Sequence, residues 1–419
     1  MPIISIISFI IFFVLIYTLT FRDTDVLSPG RIVLIVWSLA IGLTNLKLSY
    51  LQTEWTFYSW YILLLSVFSL LIGIFVVYVI NVNKPLVSIN SYRSIFSNEN
   101  INRNKLFYIT ILLFVVYLIS YLVSYLVTGV IPLFTLRPDL VRTTWGIFGF
   151  GLFIQTSPTI IYFSLISFYL NKEKKTYRYF SLFIFLSTFI TYFFLLQRFN
   201  LIFGIILFGI FLYYNTNILN FKRVIIFSLI IIALLYGISE VRTSKWVVNL
   251  LYYISKMKYS VKYAIFTEPY MYVVMNLENF ARAVTKVEHF TFGYFTFDFI
   301  MALSGLKHWI AEYASIDNLP FLNSGFNTYS MFFYYYRDFG PVGVGIIPFI
   351  IGYGISSIYY RMRNNFNFNS ISLYGLFAFV LMFSFFIPIL SWLNFVFNLL
   401  IIYFVTKAVN DSKSIKLKL

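Results

Sequence analysis

Apolar residues in this chain come in long unbroken runs, not in the spaced pattern of a water-soluble helix or strand. A bilayer-spanning helix needs about 20 mostly apolar residues. By that rule about eleven spans are predicted: Pro2–Phe21, Ile32–Leu46, Phe57–Ile80, Leu106–Val127, Ile147–Leu170, Tyr179–Leu196, Phe199–Tyr214, Val224–Ser239, Phe339–Tyr360, Ile371–Pro388 and Ile389–Thr406. The last two form one near-continuous apolar stretch. Pro388, Ser391, Trp392 and Asn394 near its middle predict a tight re-entry turn. Between the eighth and ninth runs lies 241–338, the one sizeable polar segment. Its 251–287 portion has apolar residues on a roughly helical period, which predicts short amphipathic helices lying on the membrane. A smaller polar loop covers Thr128–Gly146. The expected fold is an all-α, polytopic integral membrane protein. Its expected parts are an N-terminal bundle over 1–240, a long external loop over 241–338, and a C-terminal hairpin region with a basic tail over 339–419.

Composition supports that class. Of 419 residues, 60% are hydrophobic and 11% charged, with a mean hydropathy of +0.84. A soluble chain could not hide so much apolar surface. The formal charge of +16 would suggest nucleic acid in a soluble protein. Here the cations sit in loops between apolar runs, so they report topology instead. Segments 22–31, 81–105, 171–178, 215–223, 361–370 and the tail from Lys407 hold eighteen Lys and Arg. The short loops on the other side hold four: Lys47, Arg137, Arg142 and Arg198. The expected orientation therefore puts the N-terminus outside, the C-terminus in the cytoplasm and 241–338 outside. The first apolar run lacks a basic leading region and a small-residue cleavage site, so it reads as a retained helix.

With no cysteine and two histidines, thiolate chemistry, disulfides and His-rich metal sites are not expected, and no cofactor is expected. No GxxxxGK[ST] or HExxH stretch occurs. Asp23-Thr24-Asp25 has the carboxylate spacing of some metal-dependent nucleotide-sugar transferases. It sits in a very short loop with no nucleotide domain around it, so a structural role is the better reading.

Five arginines are more telling. Arg137 and Arg142 lie in the small external loop, Arg198 in the turn LQRFN between two spans, Arg242 (with Lys245) at the start of the long loop, and Arg337 at its end. Guanidinium forks bind phosphate oxygens in a bidentate way and stay charged when partly desolvated. A ring of them at a membrane surface suits a lipid diphosphate; the structural alternative is snorkelling and pairing with Asp139, Glu240 or Asp338. Arg198 is the strongest single case, because charge at membrane depth is costly and usually functional. Asp338, Glu240, Glu268, His289 and His308 are candidate general bases on the same side.

Five places in the chain carry a further pattern: VLSPGRIVLIVWSL (Val26–Leu39), GVIPLFTLRPDLVR (Gly129–Arg142), QRFNLIFG (Gln197–Gly204), MNLENF (Met275–Phe280) followed by FGYFTFDFI (Phe292–Ile300), and above all NTYSMFFYYYRDFGPVGVGIIPFIIGY (Asn327–Tyr353). Together they resemble a family, the Wzy-type oligosaccharide repeat unit polymerases, or O-antigen polymerases. The resemblance implies a glycosyltransferase at the external face of the bacterial plasma membrane. Such an enzyme moves a growing glycan from undecaprenyl diphosphate to the non-reducing end of a lipid-linked repeat unit. It implies catalytic roles for Asp338 and Arg198, and substrate-binding roles for Arg137, Arg142, Asn327 and Tyr336; position and charge add Arg337, Arg242 and Lys245. The implied partners are undecaprenyl-diphosphate-linked oligosaccharide, membrane lipid and a chain-length regulator in the same membrane, with no nucleic acid. Two other readings stay open: a lipid-linked glycan flippase, which the long loop and the absence of an internal repeat disfavour, and an O-antigen ligase or other transferase using lipid-linked donors.

Overall fold

The computed structural model describes residues 3–21, 24–84, 86–96, 101–147, 149–219, 223–224, 226, 230, 248–309, 321–322, 325–364 and 367–410. Among the described residues the chain is helical throughout, and extended pairing is confined to two isolated bridges, Ser49 with Met257 and Ile101 with Asn410. Five helical stretches are long and apolar enough to cross a membrane: Phe57–Ile80, Arg103–Phe134, Phe150–Leu170, Arg198–Asn215 and Phe332–Asn364. Ile3–Leu19, Pro29–Thr44, Phe368–Met382 and Leu393–Val409 are shorter apolar helices. This architecture is compatible with a membrane protein.

We label the helices α1 (Ile3–Phe21), α2 (Pro29–Thr44), α3 (Phe57–Ile80), α4 (Ile89–Phe96), α5 (Arg103–Thr128), α6 (Pro138–Thr144), α7 (Phe150–Ile154), α8 (Ser157–Leu170), α9 (Lys175–Phe193), α10 (Arg198–Asn215), α11 (248–254), α12 (Thr267–Val284), α13 (Asp298–Ser304), α14 (Leu306–Trp309), α15 (Phe332–Asn364), α16 (Phe368–Met382) and α17 (Leu393–Val409). The predicted Ile147–Leu170 span is two helices, broken at Gln155–Thr156 just before Pro158. The last two predicted spans are α16 and α17, with their turn over 383–392 around a short 3₁₀ helix, Ile389–Ser391. Most of the Val224–Ser239 span lies outside the described residues.

The chain divides into two compact units. The first gathers Met1–Pro85, Lys245–Tyr360 and Val380–Phe395, and the second Leu86–Ser244, Arg361–Phe379 and Val396–Leu419.

In the first unit, small residues let α3 and α15 touch backbone to backbone. A Cβ on Gly73 would lie 2.1 Å from the Phe349 carbonyl oxygen, and one on Gly352 would lie 2.2 Å from that of Leu70. Ser69 donates to the Gly345 carbonyl and Ser356 to that of Ile74 on the same seam. Close approach through small residues is the packing mode of helices that associate in a bilayer. Trp37 of α2 is buried, stacks on Phe332 at 4.9 Å and donates its indole N–H to Ser384 at 2.9 Å. Asp25 also belongs to this framework: it accepts from the Leu27 amide at 3.0 Å and from the Tyr359 hydroxyl at 2.8 Å. Asp23 lies outside the described residues.

The amphipathic-surface expectation for 251–287 is corrected at α12. Met271, Val274, Leu277 and Phe280 are buried, and so are the polar Asn276, Glu278 and Asn279. The helix packs on α2 and α3 inside the unit, because every one of its polar interior positions finds a partner there. Only 248–266, ahead of α12, keeps an exposed apolar face.

The second unit packs α5, α8, α9 and α10 around Tyr117, Tyr121, Ile160, Ile161, Ile184, Tyr192 and Leu201. Gly204 permits the α8–α10 crossing, since a Cβ there would sit 2.7 Å from the Pro158 carbonyl oxygen.

Replacing Gly352 by alanine should cost about 1–3 kcal/mol through overpacking, because the obstacle is a backbone carbonyl that no rotamer can move. Gly354→Ala, where a Cβ would meet nothing within 4 Å, should leave stability unchanged or slightly raised. Thermal unfolding of both variants in detergent checks the pair.

Candidate functional site

The sequence-predicted residues fall into two groups, one in each unit. Asn327, Tyr336, Arg337 and Asp338 belong to the first unit, and Arg137, Arg142 and Arg198 to the second. Arg242 and Lys245 lie outside the described residues, as do Glu240 and the side chain of His308.

In the first unit the polar-aromatic stretch before the predicted span is already helical. α15 begins at Phe332, so Arg337 and Asp338 sit inside a helix, not at the end of a loop. That helix is kinked at Gly340 (φ 60°, ψ −146°), followed by Pro341. Pro341 has no N–H to give to the Arg337 carbonyl four residues back. The Thr291 amide takes that carbonyl at 3.2 Å, and the Phe292 amide takes that of Asp338 at 3.1 Å. The 290–298 segment is thus drawn over the kink. Glycine suits residue 340 by its positive φ, and a side chain there would also push the Phe290 ring, 2.6 Å away, aside.

Asp338 holds the same segment from its side chain. It is fully buried, and its carboxylate accepts from the Thr291 hydroxyl, the Phe295 amide (3.2 Å) and the Thr296 amide (2.6 Å). A general base needs a free lone pair facing the acceptor. In this arrangement three of the carboxylate's roughly four lone-pair positions are already used by the fold. Arg337, 3% exposed, donates to the His289 carbonyl at 2.9 Å. Tyr336 donates to the Val284 carbonyl at 3.0 Å and meets the Tyr58 hydroxyl at 3.0 Å. Asn327 is exposed, in a segment that α12 grips from below. The Asn279 amide donates to the Phe326 and Thr328 carbonyls at 3.0 and 2.9 Å and accepts from the Leu322 amide. Asn276 accepts from the Thr328 hydroxyl.

Glu278, on another face of α12, is the polar centre that sequence reasoning did not single out. Its side chain is wholly inaccessible. Oε1 accepts from the Thr53 amide at 2.9 Å and its hydroxyl at 3.2 Å. Oε2 accepts from the Trp55 indole at 2.8 Å and the Lys47 ammonium at 3.2 Å. Arg282 lies 3.8 Å away, one helical turn on. Lys47 also stands 5.1 Å over the Trp55 ring. Burial holds its ammonium below the usual lysine value, opposed by the Glu278 charge. The signal was available: Asn276, Glu278 and Asn279 are three polar residues in one otherwise apolar helical stretch, and each needs a partner if buried.

In the second unit the structure joins the Thr128–Gly146 loop to the Arg198 turn. The Leu133 amide donates to the Phe194 carbonyl at 3.0 Å, and the Gln197 side chain to the Arg142 carbonyl at 3.4 Å. Leu196 adopts φ 56° to make the turn, and Arg198 opens α10. Beneath it lies a knot of amides, with Asn200 and Tyr192 buried and Gln155 and Gln197 half-buried. Gln155 donates to Gln197 at 3.0 Å, Tyr192 donates to either glutamine at 2.8 Å, and Asn200 donates to Gln155 and to the Tyr192 hydroxyl (2.7 Å). Asn398 donates to the Gln155 carbonyl at 2.9 Å and accepts from Thr159. The break between α7 and α8 is what exposes that carbonyl to a side chain. Arg142 and Arg198 are half-buried and Arg137 is exposed. Beside them the loop shows Phe134 (70% exposed) and Leu136 (103%) to the surroundings. A polar cavity of about 330 Å³ in this unit, lined by Asn102, Arg103, Asn171 and Glu173, lies at the opposite end of α8 and includes none of these arginines.

Among the described residues no group of His, Asp and Glu could hold a metal ion. No family model, curated protein or solved structure matches the chain.

Two substitutions test how these carboxylates serve the fold. Asp338→Asn places an amide N–H against the donors that now face the carboxylate. It should cost about 1.5–3 kcal/mol, read as a lowered unfolding temperature; a wild-type melt would return Asp338 to the pool of bases. Glu278→Gln should cost about 3 kcal/mol, because Lys47 and Arg282 lose their anion, and the double change with Lys47→Met should recover part of that loss.

Proposed function

We propose that this protein is a membrane glycosyltransferase of the O-antigen polymerase type. It would transfer a growing glycan from undecaprenyl diphosphate to the non-reducing end of a lipid-linked repeat unit. The observation that carries this reading is the joined loop and turn that present Arg137, Arg142 and Arg198 from one corner of the second unit, next to exposed Phe134 and Leu136. Cations beside an apolar rim suit a substrate with a charged diphosphate and a hydrocarbon tail. The resemblance of Gly129–Arg142, Gln197–Gly204 and Asn327–Tyr353 to the polymerase motifs supports the same reading.

In the transfer, the bond from the donor's anomeric carbon to the phosphate oxygen breaks as the acceptor hydroxyl oxygen bonds to that carbon. The acceptor's proton passes to a base, and the arginines neutralise the charge that grows on the departing diphosphate. The leaving group is already activated, so no nucleotide is consumed. The topology proposed with it has about eleven spans in a bacterial plasma membrane, with the N-terminus outside and the C-terminus in the cytoplasm. A chain-length regulator would be its membrane partner.

A lipopolysaccharide gel of a deletion strain tests this directly. Collapse of the ladder to core plus one repeat, restored by the gene, is the expected result. Loss of every repeat-bearing band would replace the polymerase with a ligase or flippase. In the restored strain, Arg198→Ala should abolish the ladder while the protein stays in the membrane at its normal level; a normal ladder would remove Arg198 from the site.

A further inference from the structure

Residues 248–266 form an amphipathic hook fixed in place by backbone hydrogen bonds. The Lys258 amide donates to the Leu48 carbonyl at 2.9 Å, the Tyr50 amide donates to the Lys256 carbonyl at 2.9 Å, and Ser49 donates to the Ser255 carbonyl. Lys256 takes φ 47° to make the bend. Ser255, Met257 and Ala264 face inward and are buried, with Met257 in the apolar cluster around Tyr270 and Met271. The outer face carries Tyr253 (64% exposed), Ile254, Tyr263, Ile265 and Phe266 (62% exposed), and Tyr50 of the bridged loop adds a ring that is 72% exposed.

Such a density of exposed apolar side chains marks a surface that is covered in use. Its charge says by what. The stretch 248–266 contains three lysines, Lys256, Lys258 and Lys262, and no Asp or Glu. All three are exposed and interleaved with the apolar residues. Lys258 stands 5.2 Å over the Tyr50 ring and Lys262 stands 4.8 Å over the Tyr263 ring. The core of a protein–protein interface is depleted in lysine. A lipid headgroup layer wants this mixture: rings and short aliphatic chains at the acyl boundary, with ammonium groups reaching back to phosphate oxygens.

We propose that the 248–266 hook, with Tyr50, is an interfacial anchor seated in the headgroup layer of an anionic membrane. It would fix the height at which α12 and its Glu278 and Asn279 contacts stand over the bilayer. This holds whatever chemistry the protein performs.

The absence of cysteine makes the test clean. A single cysteine at Tyr253 or Phe266 is labelled with an environment-sensitive fluorophore in the full-length protein, in nanodiscs containing phosphatidylglycerol. The expected result is strong quenching by lipid carrying a shallow doxyl group and weak quenching by aqueous iodide. The K256A/K258A/K262A variant, or discs of phosphatidylcholine alone, should shift the label severalfold toward iodide. Quenching by iodide and not by doxyl lipid would overturn the anchor. Unchanged lipid quenching in the triple variant would overturn the role given to the lysines. Protection that persists without lipid would mean that a protein surface covers this face, and would overturn the proposal too. Should the cysteine variants fail to fold, a photoactivatable phosphatidylglycerol applied to the unsubstituted protein decides the matter: its adducts should fall within 248–266, and their absence there would overturn the anchor.

Discussion

Burying the carboxylate of Glu278 fixes the arrangement of the first unit. An isolated carboxylate in a low-dielectric interior costs many kcal/mol, so it survives only where donors surround it. Here those donors come from Lys47, Thr53 and Trp55, all in the connection between α2 and α3, with Arg282 alongside. The same helix turns Asn276 and Asn279 toward 322–328. The connection between α2 and α3 and the lead-in to α15 are therefore ordered by one helix, through polar contacts whose geometry is far more specific than apolar packing. Tyr270 extends the grip, accepting from the Leu48 amide at 3.0 Å and donating to Gln52 at 2.8 Å. Burial pushes its phenol pKa up, so it remains a neutral donor at physiological pH.

α15 solves a different problem by a similar rule. A proline inside a helix strands a carbonyl, and a stranded carbonyl in an apolar setting must be paired. The 290–298 segment supplies the amides, and Asp338 holds that segment from its side chain. Helix kink and covering segment are therefore joined through both backbone and side chain. Farther along, α15 carries small residues against α3, where the two backbones approach closely.

The apolar runs made the helices legible. Phe57–Ile80 was placed to the residue, and α5 and α10 to within a few. The start of α15 was misplaced because Tyr334, Tyr335, Tyr336, Arg337 and Asp338 read as a watery junction. All but the half-buried Tyr334 are buried, and tyrosine hydroxyls and charges that find protein partners cease to mark solvent. The same blindness hid Glu278. Hydropathy treats a paired and an unpaired carboxylate alike, and the partners lie more than two hundred residues away in sequence. In the second unit Arg198 is legible from the cost of a charge in a short turn between two apolar runs, and Arg137 and Arg142 from their place in the Thr128–Gly146 loop. The amide knot under them was missed, because Gln155, Gln197 and Asn200 are unremarkable singly and meet only once α7, α9 and α10 are packed. Gly340-Pro341 was the signal left unused: a glycine and a proline together inside an apolar run announce a break and a segment that repairs it.

Cations in this chain do two kinds of work, and separating them sharpens the orientation argument. Arg93 is buried and donates to the Tyr213 and Leu219 carbonyls at 2.8 and 2.9 Å, closing the C-terminal end of α10. Arg363 is buried as well, donating to the Val87 carbonyl and lying 5.6 Å from the Tyr92 ring. Both count among the eighteen basic residues of the proposed cytoplasmic side, yet each contributes to the fold and not to an interaction with the membrane surface. On the opposite side Lys47 is likewise committed to Glu278. Discounting these three leaves sixteen cations against three, so the imbalance on which the proposed orientation rests persists. What remains on the sparse side is Arg137, Arg142 and Arg198, gathered at one corner of the second unit.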